Sequence, residues 1–213
     1  MQPDDERRRM VERQLRRRGV KDERVLSAMA RVPRELFLPE DVRERAYDDA
    51  ALPIGGGQTM SQPYIVAKMS ELLSLDGDER VLDVGTGSGY HAAVLAELAG
   101  EVVTIERVRA LAERARAALA AAGYDGVDAR VGDGTLGVPD RAPYDAIAVA
   151  AAAPVLPGSL YEQLKLGGRI VVPVGGRANQ RLELIVKSPE GAAVVRSVPC
   201  RFVPLVGEEG FNE

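Results

Sequence analysis

From Arg80 onward, short apolar runs alternate with longer segments of helical period, and no other property of this chain restricts its fold so tightly. Val81–Val84 reads as a strand and Tyr90–Ala99 as a helix stopped by Gly100. Val102–Glu106 is the next strand, followed by an alanine-rich helix over Arg107–Ala122 closed by Gly123. Val127–Val131 and Asp145–Ala150 are further strands. A helix over Ser159–Lys165, ended by Gly167-Gly168, leads into the strand Arg169–Val174. Parallel strands need a crossover, and a helix is the crossover that buries its own apolar stripe, so the alternation predicts a doubly wound α/β sheet.

The rhythm changes after Val174. Only Gly-Gly-Arg-Ala-Asn-Gln-Arg separates it from the next strand, Leu182–Lys187. A parallel crossover takes about a dozen residues or more, so this link is too short for one. Leu182–Lys187 must therefore run antiparallel beside its predecessor, and the turn Ser188–Gly191 returns the chain into Ala193–Val198 as a second hairpin. Counting strands from Val81, the connections predict the order 3-2-1-4-5-6-7 with strand 6 antiparallel. The arrangement with the last strand inserted between 5 and 6 is excluded by the same link lengths.

Ahead of this core, residues 1–50 carry a charged, helical pattern. Val11 and Leu15 recur at helical spacing, as do Val25 and Met29, and Asp22 is positioned to cap the second segment. Pro33 and Pro39 interrupt the pattern. Arg7–Arg9, Arg13 and Arg16–Arg18 form a basic cluster, but no aromatic interleaves with them as a base-stacking surface requires, so a solvated helix face is expected. The net charge of −4 gives no general attraction to nucleic acid. Residues 51–62 form a glycine-rich loop before a helix that Pro63 opens and Ile65, Met69, Leu72 and Leu73 bury, with Ser61 at or just before its N-cap.

Composition removes whole classes of chemistry. One cysteine, Cys200, and one histidine, His91, leave no cysteine or multi-histidine metal site, and the single thiol fits a reducing cytosol. The 46% hydrophobic content is ordinary for a globular fold, and no run approaches the roughly 20 apolar residues of a membrane span. Met1–Arg18 lacks the apolar stretch of a secretory signal. Few titratable catalysts remain. His91, in the first helical turn after the glycines, is expected to be a hydrogen-bonded helix-terminal residue, and Cys200 a small residue on or beside the last strand.

Between the first strand and its helix lies Val81-Leu-Asp-Val-Gly-Thr-Gly-Ser-Gly-Tyr90. Glycines there allow a tight turn and a close approach of backbone to ligand. A dinucleotide fold spaces them G-x-G-x-x-G around a pyrophosphate. Here Gly85, Gly87 and Gly89 stand G-x-G-x-G behind Asp83, with Thr86 between the first two. Glu106, about twenty residues on at the end of the second strand, can accept from both hydroxyls of a ribose, or else cap the next helix. Asp133, with Gly134 after the third strand, stands where an adenine amino group needs an acceptor, or else forms a turn. The three features at successive strand ends favour a bound nucleoside. The glycine spacing looks like the cofactor loop of methyltransferases that use S-adenosyl-L-methionine, and it disfavours a nicotinamide dehydrogenase.

The match extends further. Leu52–Tyr64, with Met60 where most members have Ile, Val81–Tyr90, Tyr144–Pro154, Leu166–Gly175 and the tail Arg201–Leu205 resemble successive motifs of the protein-L-isoaspartate (D-aspartate) O-methyltransferase family, over about Met10 to Gly207. The resemblance implies an N-terminal helical extension over 1–50, packed on the core as one structural unit, and a Rossmann-like methyltransferase domain over 51–213. It implies methyl transfer from S-adenosyl-L-methionine, which leaves as S-adenosyl-L-homocysteine, to the free α-carboxylate of L-isoaspartyl residues in damaged proteins and peptides. The ester then closes to a succinimide without the enzyme. The residues assigned by resemblance and position are Ser61 as the catalytic residue and Gln58, Thr59, Met60, Ser61, Tyr64, Gly85, Thr86, Gly87, Gly89, Glu106, Asp133 and Gly134 around the cofactor, with no metal. Gly55–Gly57 would let the preceding loop close over the site. Ala150–Ala153 would leave room for a substrate backbone, and by resemblance Val203–Leu205 would line the acceptor cleft. A cytoplasmic monomer without nucleic-acid or membrane partners is expected. Two other readings stay open from the residues themselves: a methyltransferase of small molecules or RNA, and a non-catalytic nucleoside-binding module.

Overall fold

Strand parity decides which side chains meet, and the computed structural model, which describes residues 3–212, makes this visible first in β3 (Arg80–Val84) and β4 (Glu101–Glu106). They pair in parallel with Asp83 opposite Thr104. Val81 and Val102 point into one apolar layer, and Leu82, Val84, Val103 and Ile105 into the other. Strands covered on both faces read as continuous apolar runs, which is why their sequence shows no alternation. Burying a side chain such as Leu82 completely contributes about 1.5–3 kcal/mol.

β5 (Asp128–Val131), β6 (Tyr144–Val149), β7 (Leu164–Gly175), β8 (Gln180–Ser188) and β9 (Gly191–Cys200) complete a seven-stranded sheet of order β5-β4-β3-β6-β7-β8-β9. β8 runs antiparallel to both β7 and β9, so the order and the reversed strand expected from the link lengths are observed. A separate hairpin pairs β1 (Leu52–Gly55) with β2 (Gln58–Met60).

The first face carries α3 (Pro63–Leu73), α4 (Tyr90–Ala96) and α5 (Arg109–Ala121). The N-terminal elements, α1 (Pro3–Met10) with its π and 3₁₀ continuation to Arg18 and α2 (Glu23–Arg31), share that layer: Met10, Leu15, Val25 and Met29 pack in one cluster with Val94, Leu95 and Leu98. Asp22 caps α2 through hydrogen bonds from the Arg24 and Val25 amides. The opposite face is covered by α6 (Gly158–Glu162), by 3₁₀ turns at Gly134–Leu136 and Pro139–Arg141, and by the tail around Leu205.

Three local expectations change. The helix expected over Ser159–Lys165 ends at Glu162, because Leu164 already pairs with Tyr144; β7 starts there, and Gly167-Gly168 sit in a bulge rather than at a helix end. In α3 Met69, Leu72 and Leu73 are buried as expected, joined by Val66, Ala67 and Ser70, and only Ile65 departs from the expectation, being half-buried. The glycine-rich loop before α3 is the β1–β2 hairpin, with Gly55, Gly56 and Gly57 all at positive φ in its turn. The outer residues of the expected domain bounds, Met1, Gln2 and Glu213, lie outside the described residues. No helix among the described residues is long and apolar enough to cross a membrane.

Candidate active site

A cleft of about 930 Å³, its open mouth included, runs along the C-terminal ends of β3 and β4. Gln58, Thr59, Met60, Ser61, Gly85, Thr86, Gly87, Glu106 and Gly134, all expected at the cofactor, line it together with Val203–Leu205. It sits where open parallel sheets bind ligands. The glycine loop is tied to the sheet: the Gly85 and Thr86 amides donate to the Ile105 carbonyl at 2.9 and 3.2 Å. Gly87 takes φ +54°, and a Cβ there would come within 3.3 Å of Ile54 in the hairpin, so the loop is covered as well as bent. Arg114 of α5 holds this hairpin by donating to the Ile54 carbonyl at 2.8 Å.

Glu106 stands at the end of β4, only 7% exposed. Its Oε2 accepts from the Gly87 amide and its Oε1 from the Val108 amide, each at 2.9 Å. Glu106 thus braces the glycine loop and the start of α5, where Val108 is the N-cap, and each carboxylate oxygen keeps a lone pair for a further donor. Asp133 is not brought to the cleft wall. Its Oδ1 accepts from the Thr135 amide and hydroxyl, and its Oδ2 from the Glu208 amide at 2.8 Å. Burial alone would raise its carboxyl, but these donors hold it below the usual carboxylate range. Asp133 thus fastens the turn carrying Gly134 to the C-terminal tail.

Gly89 and Tyr64 also stand away from the cleft wall. Gly89 begins α4 at φ +92° and faces Leu119 and Ala115 of α5. Tyr64 lies under the Arg18 guanidinium, 3.9 Å from its ring centroid. Three of the seven arginines of the basic cluster pair within the chain: Arg7 bonds Asp4, Arg16 bonds Glu12 and Glu23, and Arg18 bonds Asp49. Cys200 ends β9 half-buried, and burial pushes its thiol up to about 11.

Ser61 borders two cavities. The second, next to the first, is lined by Asp49–Ala51, Gln62, Ile65, Arg177, Gln180 and Arg201–Pro204, and shares Thr59, Ser61, Ala150, Val203 and Pro204 with the cleft. The N-cap of α3 is Gln62, not Ser61, and no hydrogen bond engages the Ser61 hydroxyl among the described residues. Its carbonyl is held instead by Arg34, which is fully buried and donates from Nη2 to Ser61 at 2.8 Å and from Nε to Ala46 at 2.7 Å. The guanidinium stacks over Tyr90, 4.7 Å from its ring centroid. Sequence reading missed Arg34; its only signal is an arginine in an apolar stretch after Pro33.

Of the alanine segment, Ala150 and Ala151 reach the cavity walls. Ala152 is stitched to the tail, donating to Val203 at 2.8 Å and accepting from Leu205 at 2.7 Å, and Ala153 is stitched to β7. Side chains larger than alanine would push the tail off the sheet.

Beneath the cleft runs a buried polar chain. The Thr86 and Thr104 hydroxyls are 2.6 Å apart, and Thr104 donates to Asp83 Oδ2 at 2.8 Å. Asp83 Oδ1 lies 3.5 Å from His91 Nδ1, and His91 Nε2 lies 3.3 Å from Ser70 Oγ. Ser70 donates to the Val66 carbonyl, so its oxygen is left to accept, which puts the imidazole proton on Nε2. Nδ1 is then an acceptor facing a carboxyl. Burial pushes Asp83 up to about 7 and His91 down to about 4, consistent with a proton on the acid rather than on the imidazole. His91 also borders the cleft, but as a hydrogen-bonded neutral residue. No group of three or more His, Cys, Asp or Glu among the described residues could hold a metal ion.

A profile of the protein-L-isoaspartate(D-aspartate) O-methyltransferase family matches residues 5–210. The chain is 57% identical over 208 residues to protein-L-isoaspartate O-methyltransferase 1 of Rhodopseudomonas palustris strain HaA2, covering 97% of this chain and 85% of that one. It is 53% identical over 207 residues to the protein-L-isoaspartate O-methyltransferase of Methanoculleus marisnigri, covering 97% and 94%. A solved protein-L-isoaspartate O-methyltransferase superposes with a TM-score of 0.87 at 32% identity, over 95% of this chain and 67% of that one. A Plasmodium falciparum beta-aspartate methyltransferase, solved with S-adenosyl-L-homocysteine, superposes with a TM-score of 0.80 at 25% identity over 94% and 98%. By fold, by motif and by sequence along nearly its whole length, this chain belongs to the protein-L-isoaspartate(D-aspartate) O-methyltransferase family.

Proposed function

We propose that the chain carries out its family's reaction, methyl transfer from S-adenosyl-L-methionine to the free α-carboxylate of isoaspartyl residues in damaged proteins and peptides, by placing two reactants that are already activated. The observation that carries this reading is Ser61, a serine whose hydroxyl has no hydrogen-bond partner among the described residues, on the wall between two adjoining cavities. An α-carboxylate has a pKa near ~3.5 and is ionised at neutral pH, so no base is required. S-adenosyl-L-methionine supplies an electrophilic methyl group on a sulfonium, so the reaction needs no metal. What remains is alignment, which can supply roughly 7–11 kcal/mol.

The residues fit this division of labour. A cleft lined by glycine backbone, with the Glu106 carboxylate beside Arg107, suits a nucleoside whose ribose hydroxyls need an acceptor. Glu106 retains the acceptor capacity to take the ribose hydroxyls, and Gly134 with Leu205 would border the adenine. Asp133, Gly89 and Tyr64 act from behind the wall: the first fixes the Gly134 turn, the second seats α4 on α5, and the third packs under Arg18. The Ser61 hydroxyl donates to the acceptor carboxylate and steadies it at the boundary of the two cavities. The β1–β2 hairpin, latched by Arg114, closes the cleft from above. The chain acts as a monomer in the cytoplasm on proteins and peptides.

The test offers labelled S-adenosyl-L-methionine with an isoaspartyl peptide, its aspartyl twin and tRNA. Base-labile label on the isoaspartyl peptide alone is the expected result. Label on tRNA, or binding without turnover on any of the three, overturns the assignment.

A further inference from the structure

The second cavity has a charge character at odds with the net charge of −4. Two arginines, Arg177 and Arg201, stand on its wall against a single acid, Asp49. Asp49 is already neutralised: Arg18 Nη1 donates to its two oxygens at 3.0 and 3.3 Å, and Gln62 Nε2 donates to Oδ1 at 2.7 Å. Arg177 lies over the Phe211 ring and donates to the Asn212 carbonyl, and its charge meets no carboxylate among the described residues. Arg201 is exposed and makes no hydrogen bond or ion pair among the described residues. Its backbone is nevertheless held in place. Gln180, 5% exposed, clasps the next residue with its whole amide, accepting from the Phe202 N–H at 2.6 Å and donating to the Phe202 carbonyl at 3.2 Å.

An anchored backbone at a cavity wall, carrying a guanidinium without a partner among the described residues, is a recognition element for an anion. The reacting carboxylate belongs at Ser61, on the wall shared with the cleft, so the anion at the far side must be another one. Arg201 precedes Val203 of that shared wall by two residues, at most about 7 Å of chain. In an extended acceptor, that span reaches a side chain one or two residues from the reacting one.

We infer that Arg201, seconded by Arg177, is a specificity element that selects isoaspartyl sites flanked by acidic residues. The inference rests on the proposed methyl transfer, with the acceptor entering through the second cavity. It makes the acidic side chain of the substrate, rather than its isoaspartyl group alone, part of what the enzyme reads.

The experiment compares kcat/KM for isoaspartyl peptides that differ only in a neighbouring Glu, Gln or Lys, placed in turn on either side. Solvent-exposed ion pairs correspond to roughly two- to fivefold each, so the Glu peptide should exceed the Lys peptide by about that factor or more. Raising the salt from about 0.05 M to about 0.5 M should shrink the ratio, because exposed charges are screened. Arg201→Gln should bring the ratio close to one and Arg201→Glu should invert it. Arg196→Gln, a charge removed on the open β9 edge outside both cavities, should leave it in place. Equal kcat/KM for the Glu and Lys peptides in the native enzyme, or a ratio that neither Arg201 variant moves, overturns the inference while leaving the reaction standing. Methylation of none of the peptides overturns the reaction and the inference together.

Discussion

On the glycine-loop side of Ser61 the polar groups are tied down. Gly85 and Thr86 are held by β4, Gly87 by Glu106, Thr86 and Asp83 by Thr104, and His91 by Ser70, with Asp83 Oδ1 approaching His91 at 3.5 Å. On the other side, the second cavity is lined by an exposed Arg201 without a partner among the described residues, and by an Arg177 held by a main-chain carbonyl and the Phe211 ring. A cofactor has one composition, and a pocket for it can be set rigidly in advance. A cavity for damaged protein must accept many neighbouring sequences, which suits long side chains held at their backbone and free at their tips. Ser61 stands between the two regimes, and Arg34 holds its backbone from the N-terminal layer.

Three substitutions probe this contrast, in falling order of effect. Ser61→Ala should lower turnover about 100-fold, the size of a lost donor to a reacting oxygen, and leave stability within about 0.5 kcal/mol because the hydroxyl has no protein partner. Steady-state kinetics beside urea denaturation reads both, and a folded variant with native turnover would remove the serine from the boundary role. Arg34→Met leaves the Ala46 and Ser61 carbonyls without their donor and should destabilise by about 1–3 kcal/mol, with turnover falling alongside. A stable variant of normal activity would mean that the N-terminal layer does not position the site.

The smallest effect comes from His91→Gln, and its sign follows from linkage. Asp83 is raised from 3.8 to about 7 by burial, so its contribution to stability declines as pH climbs through that window. His91 is lowered from 6.5 to about 4 by burial, so its contribution is lost as pH falls through that window. The two oppose each other in the native protein, and the variant keeps only the first. Its stability relative to the native chain should therefore be more favourable near pH ~4.5 than near pH ~7. A difference that stays constant between the two pH values would show that His91 does not titrate with folding.

Much of the fold is legible in the residues. The short link from Val174 to Leu182 sets the antiparallel step, and with it the strand order. Asp22 caps its helix as its type and place suggest. Other elements needed distant partners. Nothing local distinguishes a glycine-rich loop from the β1–β2 hairpin, which is steadied by Arg114 from a helix sixty residues on. The early end of α6 depends on Tyr144 offering Leu164 a strand to pair with.

By itself the sequence determined the period of each element, the direction each short connection allows, the family, and the lack of a multi-cysteine or multi-histidine metal site, since all of these are read from neighbouring residues or from counts. Only the tertiary structure decided that Asp83 meets Thr104 and His91, that Arg34 reaches Ser61, and that segments around Asp49, Ser61, Arg177 and Arg201 enclose one cavity. Those contacts depend on sheet register and helix seating. A shift of one residue in the register would carry each such side chain to the other face while leaving every local pattern unchanged.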